Sequence, residues 1–231
     1  AVMSLARLKW ALALPCSKMS ICWMAAHCPT ETVALEMMQL ARAHGCPFSS
    51  FGKETTHAAA QNHGALMSWL VENGCQRSVL ACAMAAKNQH FDLLESMVAR
   101  DFPMDQGTAD RCALHGNLPM LKLVTKEGKE TCGPLTFACA VKSGSLPTVE
   151  WMYEKGRGDC GEEWWRRLRL ANSRFAAERG HLEILKCLRS HGCAWAPGTC
   201  RAARRNGHED LLIWAIEAGC PDDEEDQEDE E

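Results

Sequence analysis

Two stretches near the end of the chain decide its fold. They are Phe175-Ala-Ala-Glu-Arg-Gly-His-Leu-Glu-Ile-Leu-Lys-Cys-Leu-Arg-Ser-His-Gly-Cys193 and Ala202-Ala-Arg-Arg-Asn-Gly-His-Glu-Asp-Leu-Leu-Ile-Trp-Ala-Ile-Glu-Ala-Gly-Cys220. In each, a Gly-His turn stands twelve residues before a Gly-Cys pair. The same interval separates Gly144 from Gly156 and Gly116 from Gly128, and with substitutions Gln89 from Asp101 and Asn62 from Gly74. Anchoring on the second residue of each pair, and adding Gly45, gives positions 45, 74, 101, 128, 156, 192 and 219, spaced by 29, 27, 27, 28, 36 and 27. Self-similarity at a fixed period marks a repeat architecture.

The columns of this alignment carry the physics. Met38, Met67, Leu94, Leu121, Val149, Leu185 and Leu212 stand seven before the anchor. Ala41, Leu70, Met97, Val124, Met152, Leu188 and Ala215 stand four before it. A spacing of three puts both columns on one helix face. Sixteen before the anchor lie the small residues Ala58, Ala85, Cys112, Ala140, Ala176 and Ala203, as close helix contact requires. Each copy therefore reads as a short helix, a polar glycine turn, and a second helix ending at a glycine C-cap.

The pattern over Ala176–Gly192 resembles the ankyrin repeat, and the resemblance extends over residues 4–220. It implies an all-α helical-repeat solenoid of about seven copies, after a partial leading copy at 1–16. Most copies here take 27 or 28 residues, against an ankyrin period of about 33. The shortfall lies between the anchor and the next first helix, so short or missing β-hairpins are expected. Thr108, Thr136 and Thr199 stand near the place of the usual Thr-Pro-Leu-His start. The resemblance further implies that Gly116, Gly144, Gly180 and Gly207 shape the inter-helix turns. It gives His181 and His208, with His90, a hydrogen-bonding role between neighbouring turns.

Fourteen cysteines and nine histidines invite metal or nucleophilic chemistry, but most of them repeat in phase. Cys46, Cys75, Cys193 and Cys220 each follow an anchor, as Cys16 follows Pro15, which takes the anchor place in the leading copy, and no Cys-x-x-Cys pair exists. Free cysteine fills small apolar slots well, so reduced, packed thiols are expected, with no metal, no cofactor and no catalytic residue. No phosphate-cradling glycine loop of standard spacing occurs. The reading is a non-enzyme in an intracellular, reducing compartment, cytoplasmic or nuclear. No stretch free of charged residues is long enough to span a bilayer.

Charge is unevenly spread over the 231 residues, whose net value is −5. Residues 222–231 hold nine acids and Gln227, while residues 157–205 hold eleven Arg or Lys against five Asp or Glu. The segment 221–231 reads as a disordered acidic tail, expected to fold back on the basic region. The 36-residue spacing places an insertion near 157–171. Its Trp164, Trp165, Arg166 and Arg169 are candidate partner-binding residues, since Trp and Arg dominate interface hot spots. Trp195 joins them, in a loop column with Phe48 and Met104. Trp10, Trp69, Trp151 and Trp214, five before the anchor, are expected to pack one copy on the next.

The expected function is protein–protein interaction by a monomer, through the concave face and inter-repeat loops, with no small-molecule substrate and no membrane partner. Nucleic acid is disfavoured by the modest charge excess. A nucleic-acid-binding solenoid using the basic region, or the regulatory array of a larger enzyme, are the alternatives.

Overall fold

The structure is a computed structural model that describes residues 21–125, 132–159 and 172–222. It is all-helical, and no strand occurs among the described residues. The described helices fall into seven consecutive pairs. They are α1 Ile21–Ala26 with α2 Glu31–Ala43, α3 Lys53–Ala60 with α4 Gly64–Glu72, and α5 Val79–Lys87 with α6 Phe91–Val98. Then follow α7 Gln106–Leu114 with α8 Leu118–Val124, and α9 Pro134–Ser143 with α10 Leu146–Asp159. The last two pairs are α11 Asn172–Glu178 with α12 Leu182–Ser190, and α13 Thr199–Arg205 with α14 Glu209–Glu217. The chain divides into two compact units, Ala1–Thr108 and Ala109–Glu231.

Within the first unit, first helices pack on first helices (α1 on α3, α3 on α5) and α2 packs on α4. Within the second, α9 packs on α11, α11 on α13, and α10 on α12. The apolar columns fill these contacts. Met38, Met67, Leu94, Leu121, Val149 and Leu185 are buried, as are Ala41, Leu70, Met97, Val124, Met152, Leu188 and Ala215. Leu212 is half-buried, packing on the Cys200, Ala215 and Cys220 cluster. Each fully buried Leu or Met removes enough apolar surface to contribute about 1.5–3 kcal/mol.

Gly45 and Gly192 of the anchor column and Gly180 and Gly207 of the turn column end helices in the same way. The residue after each turn donates its N–H back across the last turn of helix: Cys46 to Ala41 at 3.1 Å, Cys193 to Leu188 at 3.0 Å, His181 to Ala176 at 2.9 Å and His208 to Ala203 at 3.0 Å. This is the six-to-one closure of a helix whose next residue is left-handed. Asn62, Gln89 and Asp101, which stand where other copies have glycine, are the non-glycine residues with positive φ among the described residues, at 60°, 63° and 53°. The small column supplies the acceptor carbonyl at the inter-helix turn, and the column four before the anchor supplies it to the cysteine that follows the anchor.

First helices begin on buried hydroxyls. Thr55, Thr108, Thr136 and Thr199 are essentially inaccessible. Thr55 Oγ1 donates to Gly52 O at 2.8 Å and accepts from Ser78 N at 3.2 Å. Thr199 Oγ1 donates to Ala196 O at 2.7 Å. These hydroxyls tie one copy's first helix to the loop that leads into it or into the next.

One boundary differs from the expectation. α10 runs through Gly156 to Asp159, so the fifth anchor does not terminate its helix. Glycine stops a helix only where the chain turns left-handed there; inside a helix it costs about 1 kcal/mol, which packing of Met152 and Tyr153 can override. The leading copy at 1–16, the rest of the proposed insertion and residues 223–231 lie outside the described residues. No helix among the described residues is long and apolar enough to cross a membrane.

Candidate protein interaction surface

The polar side chains of the repeated frame are turned inward, on neighbouring copies. His63 Nε2 lies 3.3 Å from Pro29 O, and His90 Nε2 lies 3.2 Å from Ala60 O. In the second unit, His181 Nε2 lies 3.3 Å from Lys142 O, and His208 Nε2 lies 3.3 Å from Glu178 O. Each ring reaches the turn of the preceding copy. A Cβ on Gly144 would stand 2.7 Å from the His181 ring, and one on Gly180 would stand 2.6 Å from the His208 ring. Gly116 faces Ser145 instead, and the space beside Gly207 is open. These glycines therefore serve a left-handed turn and, at 144 and 180, an imidazole laid over it.

Several thiols are kept neutral by burial. Burial pushes Cys22, Cys75 and Cys82 up to about 12, with further help from Glu54 at the first two and Asp105 at the third. Cys187 Sγ lies 3.7 Å from His191 Nδ1, yet burial, then Glu150, raises that thiol to about 11. A thiol raised in this way is a packing group and a poor nucleophile. No group of three or more His, Cys, Asp or Glu that could hold a metal ion is found among the described residues.

Trp195 belongs to an arrangement that occurs twice. In the second unit, the Arg189 guanidinium lies 4.5 Å from the Trp195 ring, which meets Trp214 edge-on at 6.1 Å. In the first, Arg42 lies 4.3 Å from Phe48, which meets Trp69 edge-on at 6.3 Å. Both arginines also bond the carbonyl of the cysteine after the anchor, Arg42 to Cys46 at 2.8 Å and Arg189 to Cys193. The loop aromatic is thus clamped between its own copy's arginine and the next copy's tryptophan. Trp195 is half-buried, and its Nε1 is buried with no hydrogen-bond partner among the described residues. The sequence signal for the clamp is Arg-x-His-Gly-Cys-x-aromatic, at 42–48 and 189–195. Column-by-column reading takes the tryptophans and loop aromatics apart and passes over the arginines.

The first helices of the last two pairs bring exposed arginines together. A groove of about 450 Å³ is lined by Arg174, Glu178 and Arg179 from α11 and its turn, and by Arg201, Arg205 and Asn206 from α13 and its turn. All four arginines are exposed. Arg174 pairs with Glu178 at 3.1 Å; Arg179, Arg201 and Arg205 have no ion pair among the described residues. On the same helix as the last two, Arg204 Nη2 meets Asp222 Oδ1 at 2.8 Å. Sequence reading places an excess of basic residues in this half, and the fold selects which four converge. Trp164, Trp165, Arg166 and Arg169 lie outside the described residues.

Neither the protein-family models nor the curated proteins contain a match to this chain.

Proposed function

We propose that this chain is a protein-interaction module of ankyrin-like type, binding its partner through the first-helix face and the loops beside it. The observation that supports this reading is the division of labour among polar side chains. Histidines, threonines and cysteines are used between copies, where they fix the frame. The solvent-facing positions of the first helices carry a different composition in each copy. Repeat scaffolds recognise partners in this way, by varying exposed residues on a constant core. The arginine groove of α11 and α13 supplies the most strongly featured part of the face, and the Trp-Arg run at 164–169 precedes it in the chain.

Affinity capture followed by calorimetry with the purified partner tests the reading. A genuine partner binds at least tenfold more weakly to Arg179→Glu/Arg201→Glu, or to Trp164→Ala/Trp165→Ala, with the melting temperature unchanged; loss of one hot spot typically costs about 2 kcal/mol, and about 1.4 kcal/mol is a factor of ten. The groove's net positive charge favours nucleic acid as the second reading. It predicts an affinity that falls linearly in log–log form with salt, and a protein partner whose binding survives about 200 mM salt excludes it.

A further inference from the structure

The arginine groove has three cations without an acidic partner among the described residues, and its neighbour Arg204 already holds Asp222 at 2.8 Å. Asp222 is the first residue of a run in which 223–231 contribute eight further acids and Gln227. Nine extended residues reach at most about 30 Å, whereas the seven residues of α13 span only about 10 Å. The run thus begins beside the groove, is long enough to cross it, and carries the complementary charge.

We propose that residues 223–231 of this chain dock in the Arg174–Arg179–Arg201–Arg205 groove and compete there with the acidic segment of a binding partner. Docking itself is independent of the functional reading above; the competition rests on it. A short tether holds the local concentration of the run in the millimolar range, so weak contacts between exposed charges suffice to keep it engaged at low salt. Each such contact is screened as ionic strength rises, because the Debye length shrinks from about 30 Å at 0.01 M salt to about 3 Å at 1 M. A competing partner must therefore bring either more contacts or a higher concentration. The groove then acts as a threshold as well as a binding face.

The test compares the native chain with a neutral-tail chain, in which the eight acids of 223–231 are changed Asp→Asn and Glu→Gln. The probe is a fluorescein-labelled peptide of the native 223–231 sequence, followed by anisotropy. Expected is binding at least tenfold tighter to the neutral-tail chain than to the native chain, lost again on adding Arg179→Glu/Arg201→Glu/Arg205→Glu. Backbone amide resonances of residues 199–206 should also differ between native and neutral-tail chains in about 20 mM salt and coincide in about 500 mM. If the charge reversals disturb folding, the Arg→Gln triple variant keeps the helix and gives the same answer with a smaller loss. Equal peptide affinity for native and neutral-tail chains, or no effect of the arginine substitutions, overturns the proposal. So does tighter binding of a short single-stranded DNA than of the peptide to the neutral-tail chain. A partner that binds native and neutral-tail chains equally refutes the competition alone, whereas the failure of any partner to appear leaves the peptide result standing and sinks only the functional reading.

Discussion

The His208 ring lies directly over Gly180, in the space where a Cβ would stand 2.6 Å from its Nδ1, while its Nε2 reaches Glu178 O at 3.3 Å. Glycine at 180 is required twice, by its φ of +71° and by its neighbour's imidazole. At Gly192, φ is +78° but nothing lies within 4 Å of a built Cβ. Gly192→Ala should then cost about 1–2 kcal/mol, the left-handed penalty alone. Gly180→Ala should cost about 1 kcal/mol more, as the displaced hydrogen bond is lost. Urea titration of each variant checks this. A Gly180→Ala/His208→Ala double variant no less stable than Gly180→Ala alone is expected; additive losses would show that the ring and the glycine act independently.

Trp195 and Phe48 occupy equivalent clamps, and only the tryptophan carries a buried Nε1 without an acceptor. An orphaned buried donor costs about 1–3 kcal/mol. Trp195→Phe should consequently leave stability unchanged or raise it, despite the smaller ring. Trp195→Ala should lower it by about 2 kcal/mol or more, through lost packing on Trp214 and Arg189. Thermal melts of the two variants decide the matter; a loss of several degrees with Phe would mean that the Nε1 has a partner in solution.

His57 gives the first unit a pH dependence. Its ring centroid lies 3.6 Å from that of His27 and 5.7 Å from Trp23. Burial first, then the neighbouring His27 charge and Lys53, lower its pKa from 6.5, with Glu54 opposing. A group whose folded pKa is depressed in this sense is held neutral by the fold. Below pH 6.5 the unfolded chain takes up the proton more readily, so stability falls as pH drops through that value and is unaffected above it. Denaturant midpoints measured from pH 7.5 down to 5.5 should decline, and His57→Gln should flatten part of that decline. An unchanged slope in the variant would remove His57 as the cause.

Neutral thiols predict slow labelling. With Cys22, Cys75 and Cys82 raised to about 12 by burial, their reaction with a disulfide reagent at pH 8 should wait on unfolding, since the thiolate is the attacking species. Half-buried Cys139 and Cys187 should react first. A Cys187 labelling rate that rises with a midpoint near pH 7 would instead indicate a thiolate paired with His191.

The repeat phase was open to reading because both helix ends depend on strictly local chemistry. Spacing alone placed Asn62, Gln89 and Asp101 in glycine positions, and all three adopt the left-handed turn. His181 and His208 bond the preceding copy's turn, a role that only the ankyrin resemblance had implied. Gly156 misled for the complementary reason: a glycine marks a stop only if the following residues turn back, and here the helix continues to Asp159. The arginine groove was visible only as a charge count over 157–205. Arg174, Arg179, Arg201 and Arg205 converge because α11 packs against α13, a relationship between residues some 25 positions apart that no local signal encodes. The candidate residues at 164–169 carry no periodic constraint, so their role was never fixed by the pattern that placed the helices.

The imidazole laid over the preceding turn has a consequence for how such a chain can grow. Its two halves, glycine and histidine, sit side by side in one copy but serve opposite junctions: Gly180 receives the ring of the following copy and His181 completes the turn of the preceding one. A tandem duplication of that copy would bring its own ring for the parental glycine and its own glycine for the ring that follows. The new junction would be closed at birth, with no second mutation needed.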